Sequence, residues 1–211
     1  MKKLLLTLFS LFAVTANAYA LDIQDGKQYI SVNGQHSVQP EVVEFFSFYC
    51  PHCYDFEMRY DIPNKVKNSL PEGTAFKQYH VDFLGFQSEN LTRAWALAMA
   101  LGAEDKVKKP LFEAAQNAAK SRNQGAPSMD DIRQIFIDNG VTAEQFDGGW
   151  NSFAVTALVN KQTKAAEQLQ VRGVPDFYVN NQYRINPEGL SRTEQGFIND
   201  YVETINGLLK K

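Results

Sequence analysis

From Glu41 to Tyr49 the chain reads EVVEFFSFY, and it then turns at Cys50-Pro51-His52-Cys53. The first stretch is apolar and aromatic with few breaks. Such a run predicts a central strand buried on both faces of a sheet. Pro51 has no backbone N–H, so it can open a helix without losing a hydrogen bond. Beyond it Cys53, Phe56 and Tyr60 recur at helical spacing; Pro63 should kink or interrupt this helix, and Pro71-Glu72-Gly73 should end it. Residues 75–83 then read as a second strand, with Phe76, Tyr79, Val81 and Phe83 available to the core. Strand, helix and strand in this order begin an α/β domain.

No strand signal follows between Glu89 and Val155. Leu91 to Leu101 predicts a helix, and Pro110 is expected to open a further segment with Leu111, Phe112 and Ala115. Ser128 and Asp131 form a capping pair before Ile132, Ile135 and Phe136, with Gly140 as the stop, and Thr142 can cap another short helix. Phe153 to Leu169 predicts a longer helix returning to the sheet. Residues 176–180 and 182–185 read as a hairpin joined by the Asn180-Asn181 turn. Ser191 and Glu194 form an expected capping box for a last amphipathic helix. The expected organisation is a sheet domain of residues 21–83 and 156–211, interrupted by a helical insertion of residues 84–155.

The first residues carry a different message. A positive Met1-Lys2-Lys3 start, an apolar run from Leu4 to Ala16 and Ala18-Tyr19-Ala20 together make a secretory signal, with a cut expected after Ala20. The run is too short for a bilayer helix. Removing Met1–Ala20 removes two lysines and no acid, so the net charge moves from −3 to −5. An acidic chain without a basic tract argues against nucleic acid as a partner.

Cys50 and Cys53 are the only cysteines of the 211 residues. A bridge across two residues closes almost no loop, so it constrains the unfolded chain little. In an exported protein such a pair is expected to do chemistry. At a helix start, Cys50 faces unpaired N–H groups and the positive end of the helix dipole, which favours thiolate. Cys53 lies one turn on, on the same face, and is expected to be the less exposed resolving sulfur. His52, as cation or donor, would favour the Cys50 thiolate further and make the disulfide more oxidising. His36 and His80 are the only other histidines, and neither has ligand spacing to the pair; no metal and no cofactor is expected. His36 lies in a polar loop and should be solvated. His80 lies in a strand and should be packed.

With these residues in view the chain resembles the DsbA family of periplasmic dithiol oxidases. The stretches that carry the likeness are Glu44 to Phe48, Cys50 to Tyr54, Tyr79-His80-Val81, Ala94-Trp95-Ala96, Ala98 to Gly102, Trp150 to Phe153, and Arg172-Gly173-Val174-Pro175. The resemblance implies a thioredoxin fold with an all-helical inserted domain, a redox-active Cys50–Cys53 disulfide, and a cis Val174–Pro175 bond facing it. It implies that the Val174 backbone pairs with an extended substrate segment, and that a quinone-linked membrane protein like DsbB reoxidises the enzyme. The expected substrates are unfolded or reduced exported proteins, and the expected form is a monomer in the periplasm. A reductase or isomerase on the same fold, or a chaperone using a hydrophobic groove, are the alternatives. The chaperone would not need both cysteines.

Glu44 is an acid inside the apolar strand, on one face with Phe46 and Phe48 by alternation. A buried carboxyl stays neutral or finds a partner; the resemblance makes Glu44 a proton acceptor beneath Cys53, the alternative being a strand-end acid that reaches solvent. The family commonly carries a lysine just before the Tyr-His pair; here Gln78 stands in that position. Lys77 is next door, but period two sends it to the other face. Glu44 is therefore expected to be hydrogen-bonded to a neutral Gln78. Phe48, Tyr49 and Phe177 are candidates to line the groove.

Overall fold

The computed structural model describes residues 22–120 and 125–211; the expected signal, Met1–Ala20, lies outside the described residues. Five strands, β1 (Tyr29–Ser31), β2 (Glu41–Phe46), β3 (Ala75–His80), β4 (Asp176–Val179) and β5 (Tyr183–Ile185), form one sheet in the order β1-β5-β4-β2-β3. Only β2 and β3 run parallel. The parallel register sets Glu44 opposite Gln78, and the antiparallel register on the other side sets Glu44 opposite Phe177. All six residues of β2 are buried, as its composition requires.

Between β2 and β3 the chain forms α1 (Pro51–Tyr54), a π-helical turn over Asp55–Arg59, and α2 (Ile62–Ser69). After β3 come α3 (Ser88–Leu101), α4 (Glu104–Lys120), α5 (Met129–Asp138) and α6 (Ala143–Trp150). Then come α7 (Phe153–Gln168), the β4–β5 hairpin and α8 (Glu194–Leu208). The capping boxes at Ser128 and Thr142 are both formed, and Asn180 and Asn181 turn the hairpin with φ of 53° and 57°.

Several expectations are corrected. β2 stops at Phe46, not Tyr49, because turn geometry takes over the backbone donors: Cys50 N–H bonds to Ser47 O, Tyr49 N–H to Ser47 Oγ, and Phe48 N–H to His80 Nε2. β3 stops at His80, and Phe83 is half exposed in the loop beyond it rather than in the core. The break before α2 falls at Asp61, held at φ 53°, while Pro63 sits in the first turn, where its missing N–H costs nothing. Pro110 opens nothing: it lies inside α4. Its cost of about 3 kcal/mol is offset by burial of Val107, Leu111 and Phe112 around it, each contributing roughly 1.5–3 kcal/mol. The cap of α8 is Thr193, not Ser191, because Thr193 has the extended backbone and accepts from Gly196 N–H.

The core beneath the site is aromatic. Phe46, Phe48, Trp95 and Phe112 pack with Cys50 and Cys53 in one cluster that joins the end of β2 to α3 and α4. His80 stacks on Phe48 within it. Its Nε2 accepts from Phe48 N–H, so Nδ1 carries the proton and faces Thr92 Oγ1 at 2.9 Å. Burial holds His80 neutral, with its pKa pushed down to about 3. The unfolded chain takes up a proton below about pH 6.5 and the folded chain does not. Stability is therefore expected to fall by roughly 1.4 kcal/mol for each pH unit below that point through this group. Urea unfolding between pH 7 and 4, with the His80 ring followed by NMR, checks this; a His80 that protonates near pH 6 contradicts it.

Candidate active site

β2 delivers Cys50 to the start of α1, where it is the N-cap, with φ −83° and ψ 115°. Pro51 is the first helical residue. The Cys53 N–H donates to Cys50 Sγ at 3.2 Å, and both cysteines are free thiols. Cys50 is 4% exposed and Cys53 1%, the expected order. The Cys53 side chain and the backbone N–H groups of Cys53 and His52 outweigh burial and the nearby Asp55 charge. They draw the Cys50 thiol from the ordinary 9 down to about 7. Burial, reinforced by Cys50 beside it, pushes the Cys53 thiol far up. The His52 backbone N–H adds to this pull on Cys50, and the His52 imidazole is exposed.

The Val174–Pro175 peptide bond is cis, and the Cys50 thiol donates to the Val174 carbonyl at 3.3 Å. The two loops that the sequence separates by more than a hundred residues therefore meet at the reactive sulfur.

Beneath Cys53 lies a polar cluster that the sequence showed only in part. Glu44 is 1% exposed, and its Oε2 accepts from Gln78 Nε2 at 2.6 Å, as expected. Lys77 is on the other face, paired with Glu41. The same Gln78 Nε2 also donates to Glu57 Oε2 at 3.0 Å. Lys108 closes the group, donating to Glu57 Oε1 at 2.7 Å and to Gln78 Oε1 at 3.0 Å. Burial first, and then the neighbouring Glu57 charge, raise Glu44 to about 8. Glu57 and Lys108 were missed from sequence. Their signals were positional: Glu57 follows Cys53 by four residues, and Lys108 precedes the buried Phe112 by four, which puts each on an inward face.

The expected groove residues are corrected. Phe48 and Phe177 are fully buried, and Tyr49 nearly so. The exposed apolar side chains beside Tyr49 are Phe83, Leu84 and Phe86. Tyr49 anchors their loop by donating its hydroxyl to Phe86 O at 2.8 Å. Gly85, at φ 95°, lets the loop lie flat on that ring; a Cβ there would fall 2.1 Å from Tyr49 Cδ2.

A family model described as a DSBA-like thioredoxin domain matches residues 41–203. The chain belongs to the DsbA-like thioredoxin family. It is 64% identical, over the full length of both chains, to the thiol:disulfide interchange protein DsbA of Haemophilus influenzae. To the DsbA of Escherichia coli it is 45% identical, again over both full lengths. Proteus mirabilis DsbA, solved with a non-covalently bound peptide PWATCDS, superposes with a TM-score of 0.82 at 41% identity, covering 90% of this chain and 100% of that one. The thioredoxin fold with its helical insertion and the membership in a disulfide oxidoreductase family thus stand on both sequence and structure. Within this DsbA-like site the Cys50 thiolate absorbance is expected to titrate at about 7 in the reduced chain. An ordinary thiol midpoint near ~8.5 contradicts the stabilisation described.

Proposed function

We propose that the chain is a dithiol oxidase that hands a Cys50–Cys53 disulfide to newly exported proteins. The observation that carries this is the asymmetry of the two thiols: Cys50 is drawn down to about 7 while Cys53 is pushed up. A stabilised Cys50 thiolate favours the reduced enzyme, and so makes its disulfide oxidising.

In the forward reaction a substrate thiolate attacks Cys50 Sγ. The Cys50–Cys53 bond breaks, and Cys53 leaves with the electron pair. Being buried, the Cys53 thiolate needs a proton. Glu44, raised to about 8, holds one at neutral pH and supplies it. A second substrate thiolate then attacks the substrate sulfur of the mixed disulfide and expels Cys50 as thiolate. Two electrons pass from the substrate dithiol to the enzyme, and the substrate gains a disulfide.

The other parts follow. Pro51 fixes the helix start, and His52 supplies a backbone donor to Cys50. Val174 and Pro175 flank the sulfur, where the Val174 backbone receives an extended segment of substrate. Phe83, Leu84 and Phe86 offer apolar contact to unfolded chains. Residues 21–83 and 156–211 form the domain that carries the thiols, and 84–155 the insertion that covers them. The enzyme works as a monomer in the periplasm, and a DsbB-like quinone-linked membrane protein reoxidises it.

The test is electron balance. Oxidised chain mixed with a reduced, unfolded protein should form one substrate disulfide for each Cys50–Cys53 bond lost. Substrate oxidation no faster than with Cys50→Ser chain would sink the reading.

A further inference from the structure

Lys108 is a charged residue in an unusual place. It stands on α4, in the helical insertion, yet its side chain is only 7% exposed and ends inside the polar cluster behind the thiols. Its ammonium lies 5.7 Å from the Trp95 ring centre and donates to Glu57 Oε1 and Gln78 Oε1. A buried ammonium is costly unless paired, so this placement needs a partner and has one.

The amide of Gln78 makes the arrangement directional. With its oxygen held by Lys108, its nitrogen must face the two carboxyls, and it donates to both Glu44 and Glu57. Flipped, the same amide would set its oxygen against Glu44 and its nitrogen against an ammonium. The buried cluster then holds two acids, one cation and one neutral amide. Lys108 balances Glu57, which leaves Glu44 as the acid that keeps the proton.

We propose that Lys108 is a positioning residue for the thiol chemistry: from the inserted helices it orients Gln78 and neutralises Glu57, and so sets how readily Glu44 gives up its proton beneath Cys53. This rests on the role assigned to Glu44 above. The charged and titratable groups facing Glu44 are Glu57 from the π-helical turn, Lys108 from α4, Cys50 and Cys53 at the start of α1, and Tyr201 from α8. Among them Lys108 is the only cation, and it acts to lower the proton affinity of Glu44.

The experiment follows the Glu44 carboxyl carbon by NMR against pH in the reduced chain. In Lys108→Met the Glu44 midpoint is expected to rise by about one pH unit or more, since an uncompensated acid neighbour remains. Lys108→Arg should stay closer to the parent. Should Lys108→Met fail to fold, the pair Gln78→Lys and Gln78→Lys/Lys108→Met makes the same comparison with a cation always present; the double variant should titrate higher. An unchanged midpoint in either comparison overturns the proposal. The second readout is the pH profile of mixed-disulfide formation, which should move with the Glu44 midpoint. If Lys108 moves the midpoint but the rate profile stays put, Lys108 governs Glu44 as proposed and the proton-donor reading of Glu44 fails instead.

Discussion

Replacing Cys53 by serine is expected to stop the reaction at its half-way point. Cys50 remains at the helix start with its backbone donors, so it still attacks a disulfide and forms a mixed disulfide with the partner. Without Cys53 Sγ nothing inside the enzyme can resolve that bond, and turnover is lost while the adduct accumulates, visible by mass. Cys50→Ser is expected to behave differently. Cys53 is then the only nucleophile, buried at 1% exposure, with its thiol pushed far up. Exchange should fall by at least about 50-fold, because a thiol at about 7 is half thiolate at neutral pH and one at the ordinary 9 is about one per cent. No adduct should form. Equal trapping by both serine variants would contradict the division of roles between the sulfurs.

Glu44→Gln is expected to change stability with pH more than any other conservative substitution at the site. The folded chain holds the Glu44 proton up to about pH 8, against a reference of 4.5. Between these values the unfolded chain has released the proton and the folded chain has not, so stability falls as pH rises. The loss through this one group is of order 5 kcal/mol once pH passes 8. Glutamine keeps the size and a hydrogen bond to Gln78 but has no proton to lose. The variant should therefore be the more stable chain at pH 8–9, and nearly equal to the parent at pH 4.5. Urea unfolding at these two values, with oxidised and reduced chains measured separately, checks the difference. A parent chain with the same pH slope as the variant contradicts it. The variant should also exchange more slowly at pH 7, since the proton that Cys53 needs must then come from solvent.

The path from sequence to site was short where local chemistry dominates. A run such as EVVEFFSFY can satisfy its side chains only inside a sheet, and Pro51 can only begin a helix there, so the position of Cys50 followed from neighbouring residues. The Glu44–Gln78 bond followed from strand pairing, because alternation excluded Lys77. What the sequence hid depended on packing. Pro110 sits inside α4 because three buried side chains outweigh one lost hydrogen bond, a balance that local rules do not contain. Phe48 and Phe177, read as groove residues, are core because α3, α4 and α8 cover them. Glu57 and Lys108 come from segments fifty residues apart, and only the docking of α4 against the π-helical turn brings them to Gln78. His52 was read through its imidazole, and its backbone N–H adds a contribution at Cys50 that the side chain alone does not announce.

The redox equilibrium of Cys50–Cys53 against glutathione tests the oxidase most directly. With Cys50 stabilised as thiolate, the reduced chain should persist in buffers that leave a thioredoxin-type pair fully oxidised, so the potential is expected well above roughly −270 mV. A value at or below that of thioredoxin would mean that the site is built to break disulfides rather than to donate them.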